Sequence, residues 1–437
     1  MKFRLLTLFI LLFLSQGIYS QNKGVPIDLK RAVDNTVLRY PLIMQLSKQV
    51  DAIDSRINQL KSNYLPTVDA DASYARLGPI QAIAFGPETF QLYPANNYDA
   101  HVELGYTVYD FGKRDAMVDL VSSGKITALD NVEMAKSTLA YQAVQAYYSI
   151  LFLQESLKLK DEQIANLNNH LQNTIDKVKS GSATDFDVLT TQVKVSAVQN
   201  QKTDIENEIR KQEIQLRSLM GMTPDARIYV TGNFNYTKIN QDADSLIQVA
   251  FQNRSDLKIA RDYEITANLQ KLNARKSDMP SLHFEFEYGF KNGFIPDIDV
   301  LRGNFAAAFS FKYPIYNGSK EEALEQEADA TLFSSRSHSD EVEITIKSDV
   351  TKALSDLASL EVQLQNTKVQ IEQAAKSVER SELQYKAGTL RNLDLLDAQT
   401  SLSEAKLSEL QIIFRSIMAD YNLQRAVGKK IWSTDIK

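Results

Sequence analysis

Cysteine is absent from the 437-residue chain. Its absence excludes disulfide bonds, thiolate metal sites and a lipid-modified N-terminal cysteine. The four histidines show no local spacing typical of metal ligands, and P-loop, dinucleotide-binding and nucleophile motifs are missing. We therefore predict no metal site, no cofactor and no enzymatic activity.

Long apolar runs are also missing, apart from residues 5–14 near the N-terminus. This run follows Lys2 and Arg4, is too short to span a bilayer, and precedes a plausible cleavage site after Ser20. It predicts a secretory signal peptide at residues 1–20, with a membrane anchor as the alternative. The net charge of −6 at pH 7 makes nucleic acid an unexpected partner.

The second half of the chain repeats the first. The segment 179–189 recurs as 386–396, so that Gly181 corresponds to Gly388, 207 positions later. A duplication of this length predicts two equivalent structural halves and is too long for one solenoid unit. The mature chain is therefore predicted to contain a first repeat, a connection and a second repeat, at residues 21–220, 221–244 and 245–437.

Each repeat is predicted to contain a very long helix followed by a returning helix. Residues 115–179 and 320–386 contain no proline and together only one glycine. At ~1.5 Å rise per residue, each would be roughly 100 Å long. Apolar residues recur every seven positions, for example at Leu357, Leu364 and Ile371, which predicts coiled-coil packing.

The turns between these helices follow a recognisable pattern. Gly388 is predicted to end the long helix of the second repeat, because glycine is favoured just after a helix C-terminus. Thr389 or Asn392 is expected to cap the returning helix.

Segments of alternating apolar and polar residues predict two β-hairpins, at about 66–109 and about 280–313. Each strand is about 10 residues long, the length of a membrane-spanning β-strand. The aromatic-rich face is expected to meet lipid and the carboxylate-rich face to meet water. A soluble sandwich with one solvated face is the alternative. The first connection, 77–97, is longer than the second, 291–302.

Four strands cannot close a barrel, and a lone sheet in lipid would leave unsatisfied edges. The chain is therefore predicted to oligomerise. Two, three or four copies would give 8, 12 or 16 strands, and the strand count does not choose among them. His101 and His283 lie beside several acids on the polar face. A metal site is conceivable there, but we favour a solvated polar wall.

Several motifs, in order along the chain, resemble those of the TolC-like outer-membrane efflux proteins. The strongest begins with Tyr385-Lys-Ala-Gly388-Thr389 and ends with Asp394-Leu-Leu-Asp397-Ala-Gln. A weaker copy and three supporting motifs lie at residues 178–192, 64–66, 108–112 and 313–318. The resemblance covers nearly all of the mature chain and keeps its order of elements.

The resemblance implies an α+β membrane protein that forms a homotrimer in contact with outer-membrane lipid. Four strands per chain would form a 12-stranded outer-membrane β-barrel, continued by a long periplasmic α-helical coiled-coil barrel. The implied function is an exit duct of a tripartite efflux or type I secretion system. It would passively conduct substrates from a periplasmic adaptor and an inner-membrane pump. The alternative is an exported coiled-coil scaffold or adaptor with a soluble β-domain.

Asp394 and Asp397 are spaced i, i+3 and share a helix face near the tip. Repeated around an axis, such carboxylates can select cations and hold a constriction. Alternatively, they only complement the helix dipole. The resemblance implies that they line a periplasmic gate and that Tyr385 helps to hold it closed. Asp187 occupies the position of Asp394 in the first repeat.

The resemblance also implies that the tip loops dock to the adaptor. The candidate docking residues are Gly181, Ser182, Thr184, Gly388, Thr389, Leu390 and Arg391. The alternative is simple turn chemistry, in which the two glycines supply a permissive backbone. In some relatives an arginine lies two residues after the tip glycine, whereas here Leu390 holds that position and Arg391 follows.

Overall fold

The computed structural model describes residues 24–237 and 242–432, and the predicted signal peptide lies outside them. The chain forms two compact units. One, the helical unit, contains the described residues of Met1–Met44, Met134–Arg254 and Thr345–Lys437. The other, the sheet unit, contains Gln45–Glu133 and Ser255–Ile344. None of the helices among the described residues combines the length and the hydropathy that a membrane-spanning helix needs.

The described helices fall into two series with matching lengths. The first series is α1 (Leu29–Arg39), α2 (Pro41–Ser62), α3 (Lys113–Lys179) and α4 (Asp185–Leu219). The second is α5 (Ala243–Asn253), α6 (Ser255–Lys276), α7 (Lys320–Lys386) and α8 (Asn392–Ala426). In both series the lengths are 11, 22, 67 and 35 residues.

Pro41 separates α1 from α2. Tyr40, the residue before it, has an extended backbone with φ −67° and ψ 128°. Proline disfavours the helical conformation in the residue that precedes it, yet fits well at the first position of a helix. Residues 29–62 are therefore two helices joined at Tyr40.

One core cluster of the helical unit is built from valine and alanine side chains. Val33 and Val37 of α1 pack with Ala140, Ala143 and Val144 of α3. The alanines allow the two backbones to approach closely, and burial of these apolar side chains stabilises the contact.

A second cluster in the helical unit joins both helical hairpins. Leu167 of α3 and Val195 and Val198 of α4 pack with Leu396 of α8. The hairpins formed by α3 with α4 and by α7 with α8 are thus in contact near their turns.

The described strands are numbered β1 to β8. Their bounds are Val25–Ile27, Thr67–Arg76, Ala82–Phe85, Glu88–Gln91, Asn96–Tyr109, Ile228–Val230, Ser281–Lys291 and Arg302–Lys312. In the helical unit, β1 and β6 form a short parallel pair. In the sheet unit, β2, β5, β7 and β8 form an antiparallel four-stranded sheet in that order.

The sheet has two open edges. Among the described residues, β2 pairs only with β5, and β8 pairs only with β7. Every strand of this sheet is 10 to 14 residues long. Because side chains alternate between the faces of a strand, one face carries the aromatic residues and the other most of the charged ones. On the aromatic face, Phe305 is 75% exposed and Phe309 is 71% exposed.

The longer first connection contains additional structure. Strands β3 and β4, at Ala82–Phe85 and Glu88–Gln91, form a small antiparallel hairpin between β2 and β5. The corresponding connection between β7 and β8, residues 292–301, contains no strand. The length difference between the two halves therefore lies in a loop, where an insertion disturbs little of the remaining fold.

Candidate functional site at the hairpin tips

The two tip turns of the helical unit have the same backbone design. Gly181 and Gly388 adopt left-handed conformations, with φ of 76° and 74°. In each turn, the amide of the residue after the glycine donates to a carbonyl five residues earlier, at 2.8 Å in the first turn and 3.0 Å in the second. This is the Schellman pattern, which favours glycine at the residue with the left-handed backbone.

Most of the predicted docking residues are exposed at these turns. Both glycines, Ser182, Thr184, Thr389 and Arg391 are exposed, whereas Leu390 is half-buried. Neither predicted cap of α8 forms. The N-cap residue is Arg391, which makes no side-chain capping bond, and the Thr389 hydroxyl donates to the Gln384 carbonyl at 3.1 Å.

The two returning helices begin differently. Thr184 and Asp187 form a capping box at the start of α4, in which each side chain bonds the other residue's backbone. The Asp187 carboxylate accepts from the Thr184 amide at 2.9 Å and from its hydroxyl at 2.8 Å. Asp187 is therefore engaged in holding the helix start.

Asp394, at the equivalent position of α8, is bound by a guanidinium instead. Arg391 donates to its two carboxylate oxygens at 3.0 and 2.9 Å. The Arg391 hydrogen bonds hold the pKa of Asp394 below its usual value. Asp397, one turn further along α8, is exposed. The two acids thus differ: one is paired within its own chain and the other faces outward.

Tyr385 is buried and binds the other hairpin. Its hydroxyl lies 3.3 Å from the Thr174 hydroxyl, and its ring centroid is 5.1 Å from that of His170. The Lys177 ammonium donates to the Tyr385 carbonyl at 2.6 Å and lies 4.0 Å from the ring centroid. The predicted gate tyrosine therefore holds the end of α7 against α3.

Asn392 is a second buried link between the hairpins. The His170 Nε2 atom lies 2.6 Å from the side-chain oxygen of Asn392, Oδ1. Because this oxygen can only accept, Nε2 is the donor. The side-chain amide nitrogen of Asn392, Nδ2, donates to the backbone carbonyl of Asp187 at 3.1 Å and to the Thr191 hydroxyl at 3.1 Å. One side chain at the first position of α8 thus contacts both helices of the first hairpin.

Sequence reasoning missed the partners in these two links. His170, Thr174, Lys177 and Thr191 are scattered over the first hairpin, and no motif marks them. The one available signal was the seven-residue spacing of Ile164, Leu171 and Val178, which places polar residues 170 and 174 beside an apolar seam. A cavity of about 620 Å³ beside this cluster is lined by residues of α3, α7 and α8.

The polar contacts at the tips hold the two hairpins together. Buried hydrogen bonds and one half-buried ammonium hold the second hairpin against the first, while charged and small residues face outward. Buried polar contacts of this kind specify a single geometry, because losing one partner leaves the other unsatisfied.

The sequence of the chain matches those of known outer-membrane proteins. The model of the family described as "Outer membrane efflux protein" matches residues 32–222 and 246–429. The pyoverdine export outer membrane protein OpmQ of Pseudomonas putida is 24% identical over 348 residues, which cover 78% of this chain and 72% of OpmQ. The outer membrane protein TolC of Vibrio cholerae is 21% identical over 395 residues, which cover 89% of this chain and 87% of TolC.

The fold is shared with solved structures. The crystal structure of the outer membrane protein VceC from Vibrio cholerae has a TM-score of 0.77 at 17% identity, covering 92% of this chain and 96% of VceC. The resemblance to TolC-like proteins is thereby confirmed, and the duct is favoured over the exported scaffold. The chain therefore belongs to the outer membrane efflux protein family and is an outer-membrane efflux duct of the TolC type.

Proposed function

We propose that three copies of the chain form a homotrimer whose sheets close a 12-stranded barrel in the outer membrane. The observation that carries this proposal is the four-stranded sheet with two open edges. Backbone groups at such edges need partners in a bilayer, and neighbouring copies of the chain supply them. The exposed aromatic face supports contact with outer-membrane lipid.

The helices continue this barrel into the periplasm as a coiled-coil barrel. Residues 21–220 and 245–437 act as two equivalent repeats joined by residues 221–244. The equal helix lengths in the two halves support this division. Each repeat contributes one strand pair and one helical hairpin.

The exposed tip turns bind a periplasmic adaptor, which connects the duct to an inner-membrane pump. Two turns with the same Schellman geometry give equivalent docking elements in both repeats. The duct itself is passive, conducts what the pump delivers, and carries out no catalysis.

The hairpin of α7 and α8 forms the periplasmic gate. Tyr385 holds this hairpin closed through its buried contacts with α3. Asp394 and Asp397 line the entrance, so that the trimer presents acids around one axis and favours cations. Asp187 belongs to the same entrance, where its capping box keeps the first hairpin fixed.

Single-channel recording in planar bilayers tests the gate. We expect the double variant Asp394→Ala/Asp397→Ala to raise conductance and to reduce the preference for cations, because both the acids and the Arg391 pairing are lost. The measurement is the conductance in symmetric salt together with the reversal potential in a salt gradient.

Glu372→Ala is the matched control. Glu372 is an exposed acid of α7 that pairs with Lys376 at 2.7 Å, within the same helix. Its removal changes the charge by one unit per chain without touching the tips. Equal conductance and reversal potential in wild type and the double variant would contradict the gate assignment.

A further inference from the structure

We propose that the polar face of the four-stranded sheet contains a binding site for a divalent transition metal ion such as Zn²⁺. The ligands are Asp71, His101 and Glu103. One ligand atom from each of these side chains lies within 4.8 Å of the other two. Metal–ligand bonds to nitrogen and oxygen are about 2.0–2.2 Å long, so small rotations of these side chains, of which Asp71 is exposed, would bring the three atoms onto one ion.

The strand register brings the three ligands together. Asp71 of β2 lies directly opposite His101 of β5. Glu103 follows two positions later on β5 and so projects from the same face. Asp71 and His101 are 30 residues apart in the chain. Spacing along the sequence therefore gives no sign of this ligand set, which forms only when the two strands pair.

The imidazole of His101 is oriented by a second carboxylate. Its Nδ1 atom lies 3.1 Å from an Asp99 carboxylate oxygen, which can only accept. When Nδ1 carries the proton, the lone pair of Nε2 is available to a metal. In metal-bound histidines, the N–H of the ring nitrogen that does not bind the metal usually donates to a carboxylate or carbonyl in this way. This hydrogen bond fixes the tautomer and raises the basicity of the ligand nitrogen.

His283 of β7 shows what a histidine without this arrangement looks like. Its Nδ1 atom lies 3.2 Å from the Thr107 hydroxyl, and its Nε2 atom lies 3.0 Å from the Ser281 hydroxyl. Both ring nitrogens are thus engaged by hydroxyl groups. The two histidines share one face of one sheet, but only His101 has a carboxylate partner and two further carboxylates within reach of a shared ion.

Gly289 keeps space beside the imidazole. This residue of β7 lies opposite His101. A Cβ atom at that position would be 2.5 Å from the Cα and Cβ atoms of His101 and 2.3 Å from the Ala100 carbonyl oxygen. Any side chain here would push β5 away, so the close approach of the two strands at His101 depends on glycine.

The surrounding charge favours a cation. Asp69 and Glu287 lie on the strands either side of Glu103 and directly opposite it. Lys291, which is opposite Asp99, places its ammonium 5.7 Å from the Phe294 ring centroid. One nitrogen and two carboxylate ligands suit Zn²⁺, Ni²⁺ or Cu²⁺, whereas Ca²⁺ and Mg²⁺ prefer six or more oxygen ligands.

Isothermal titration of the full chain, purified in detergent without a histidine tag, tests the site with ZnCl₂. We expect one Zn²⁺ per chain. His101→Gln removes the nitrogen ligand and should abolish saturable binding. Asp99→Asn removes the orienting carboxylate and should weaken binding by about 10- to 100-fold. His283→Gln is the matched control and should bind as wild type does.

Two additional measurements make the outcome unambiguous. Co²⁺ should give a visible absorption band in wild type and His283→Gln that His101→Gln lacks, and gel filtration should show the same elution volume for every variant. Equal Zn²⁺ affinity in wild type and His101→Gln would overturn the site. So would CaCl₂ binding as tightly as ZnCl₂, because that result identifies general attraction of cations to an acidic face.

Discussion

At the residue scale, Asn392 shows how one side chain can join two helical hairpins. Asn392 is 3% exposed. Its side-chain amide group forms hydrogen bonds with a histidine ring nitrogen, a backbone carbonyl and a threonine hydroxyl on the other hairpin. An asparagine at a helix start usually caps that helix. Here the cap is left unmade, and the polar capacity of the side chain is directed across the interface.

Replacing Asn392 with alanine should destabilise the tip region. The change leaves the buried His170 nitrogen without its partner, at a cost of about 1–3 kcal/mol. We expect a lower thermal midpoint, measured by circular dichroism in detergent. Asn366→Ala, at an exposed position of α7, is the control and should leave the midpoint unchanged. Equal midpoints in the two variants would show that the buried link contributes nothing to stability.

At the element scale, the contact between α3 and α6 in the sheet unit brings together two carboxyl groups, those of Asp130 and Asp262. Burial, together with the charge and hydrogen bond of Asp130, raises the pKa of Asp262 to about 6. The folded chain therefore binds a proton more tightly than the unfolded chain, in which the pKa keeps the ordinary value of 3.8. This group favours folding most below pH 3.8, and its contribution declines as the pH rises through 6.

Asp262→Asn should remove this pH dependence. Above pH 6, the variant avoids the repulsion between two carboxylates, and its amide can donate to Asp130. We expect it to be more stable than wild type by about 1 kcal/mol, because solvent screens a partly exposed pair. At pH 4 the two proteins should be equal. The measurement is chemical unfolding between pH 4 and 8.

Glu264→Gln on the same helix removes one charge away from this pair and serves as the control. A stability gain of the same size in Glu264→Gln would attribute the effect to the overall charge of the chain. A gain for Asp262→Asn that does not change with pH would show that Asp262 is ionised throughout the range.

The elements themselves were the most predictable part of the fold. Alternation and heptad spacing depend on nearby residues, so the strand segments and long helices could be inferred within a few positions, as at Ser281–Lys291 and Lys320–Lys386. The tip glycines were equally readable, because a Schellman turn selects glycine. The break between α1 and α2 follows in the same way from a single local residue, Pro41.

Contacts between distant segments could not be inferred in the same way. The partners of Asn392 lie 201 to 222 positions away, and Asp71 meets His101 only through strand register. The cap predicted for α8 was wrong for the same reason. Local statistics favour Thr389 or Asn392 at the cap, whereas burial against the first hairpin uses Asn392 elsewhere.

At the scale of the whole molecule, the open edges of the sheet lead to a prediction about assembly. In a closed ring, β2 of one copy lies beside β8 of the next, so the interface is heterologous. Because the chain has no cysteine, Ser73→Cys on β2 and Ser310→Cys on β8 can be introduced as the only thiols. We expect the double variant to give a covalent trimer on treatment with a bis-maleimide.

Each single cysteine variant serves as a control, because β2 and β8 meet only in unlike pairs in such a ring. Neither single variant should form more than traces of cross-linked product on a denaturing gel. Cross-linked dimers from Ser73→Cys alone would contradict the ring, since they require two copies of β2 to be neighbours.

The open edges also constrain how the protein reaches its membrane. A single sheet entering lipid would carry unpaired amide and carbonyl groups on β2 and β8, each costing several kcal/mol. On the assembly proposed above, the monomer must therefore stay in water until its partners arrive. Before assembly, its exposed aromatic face favours aggregation. Biogenesis of this duct should accordingly depend on chain concentration and on factors that shield the sheet before closure.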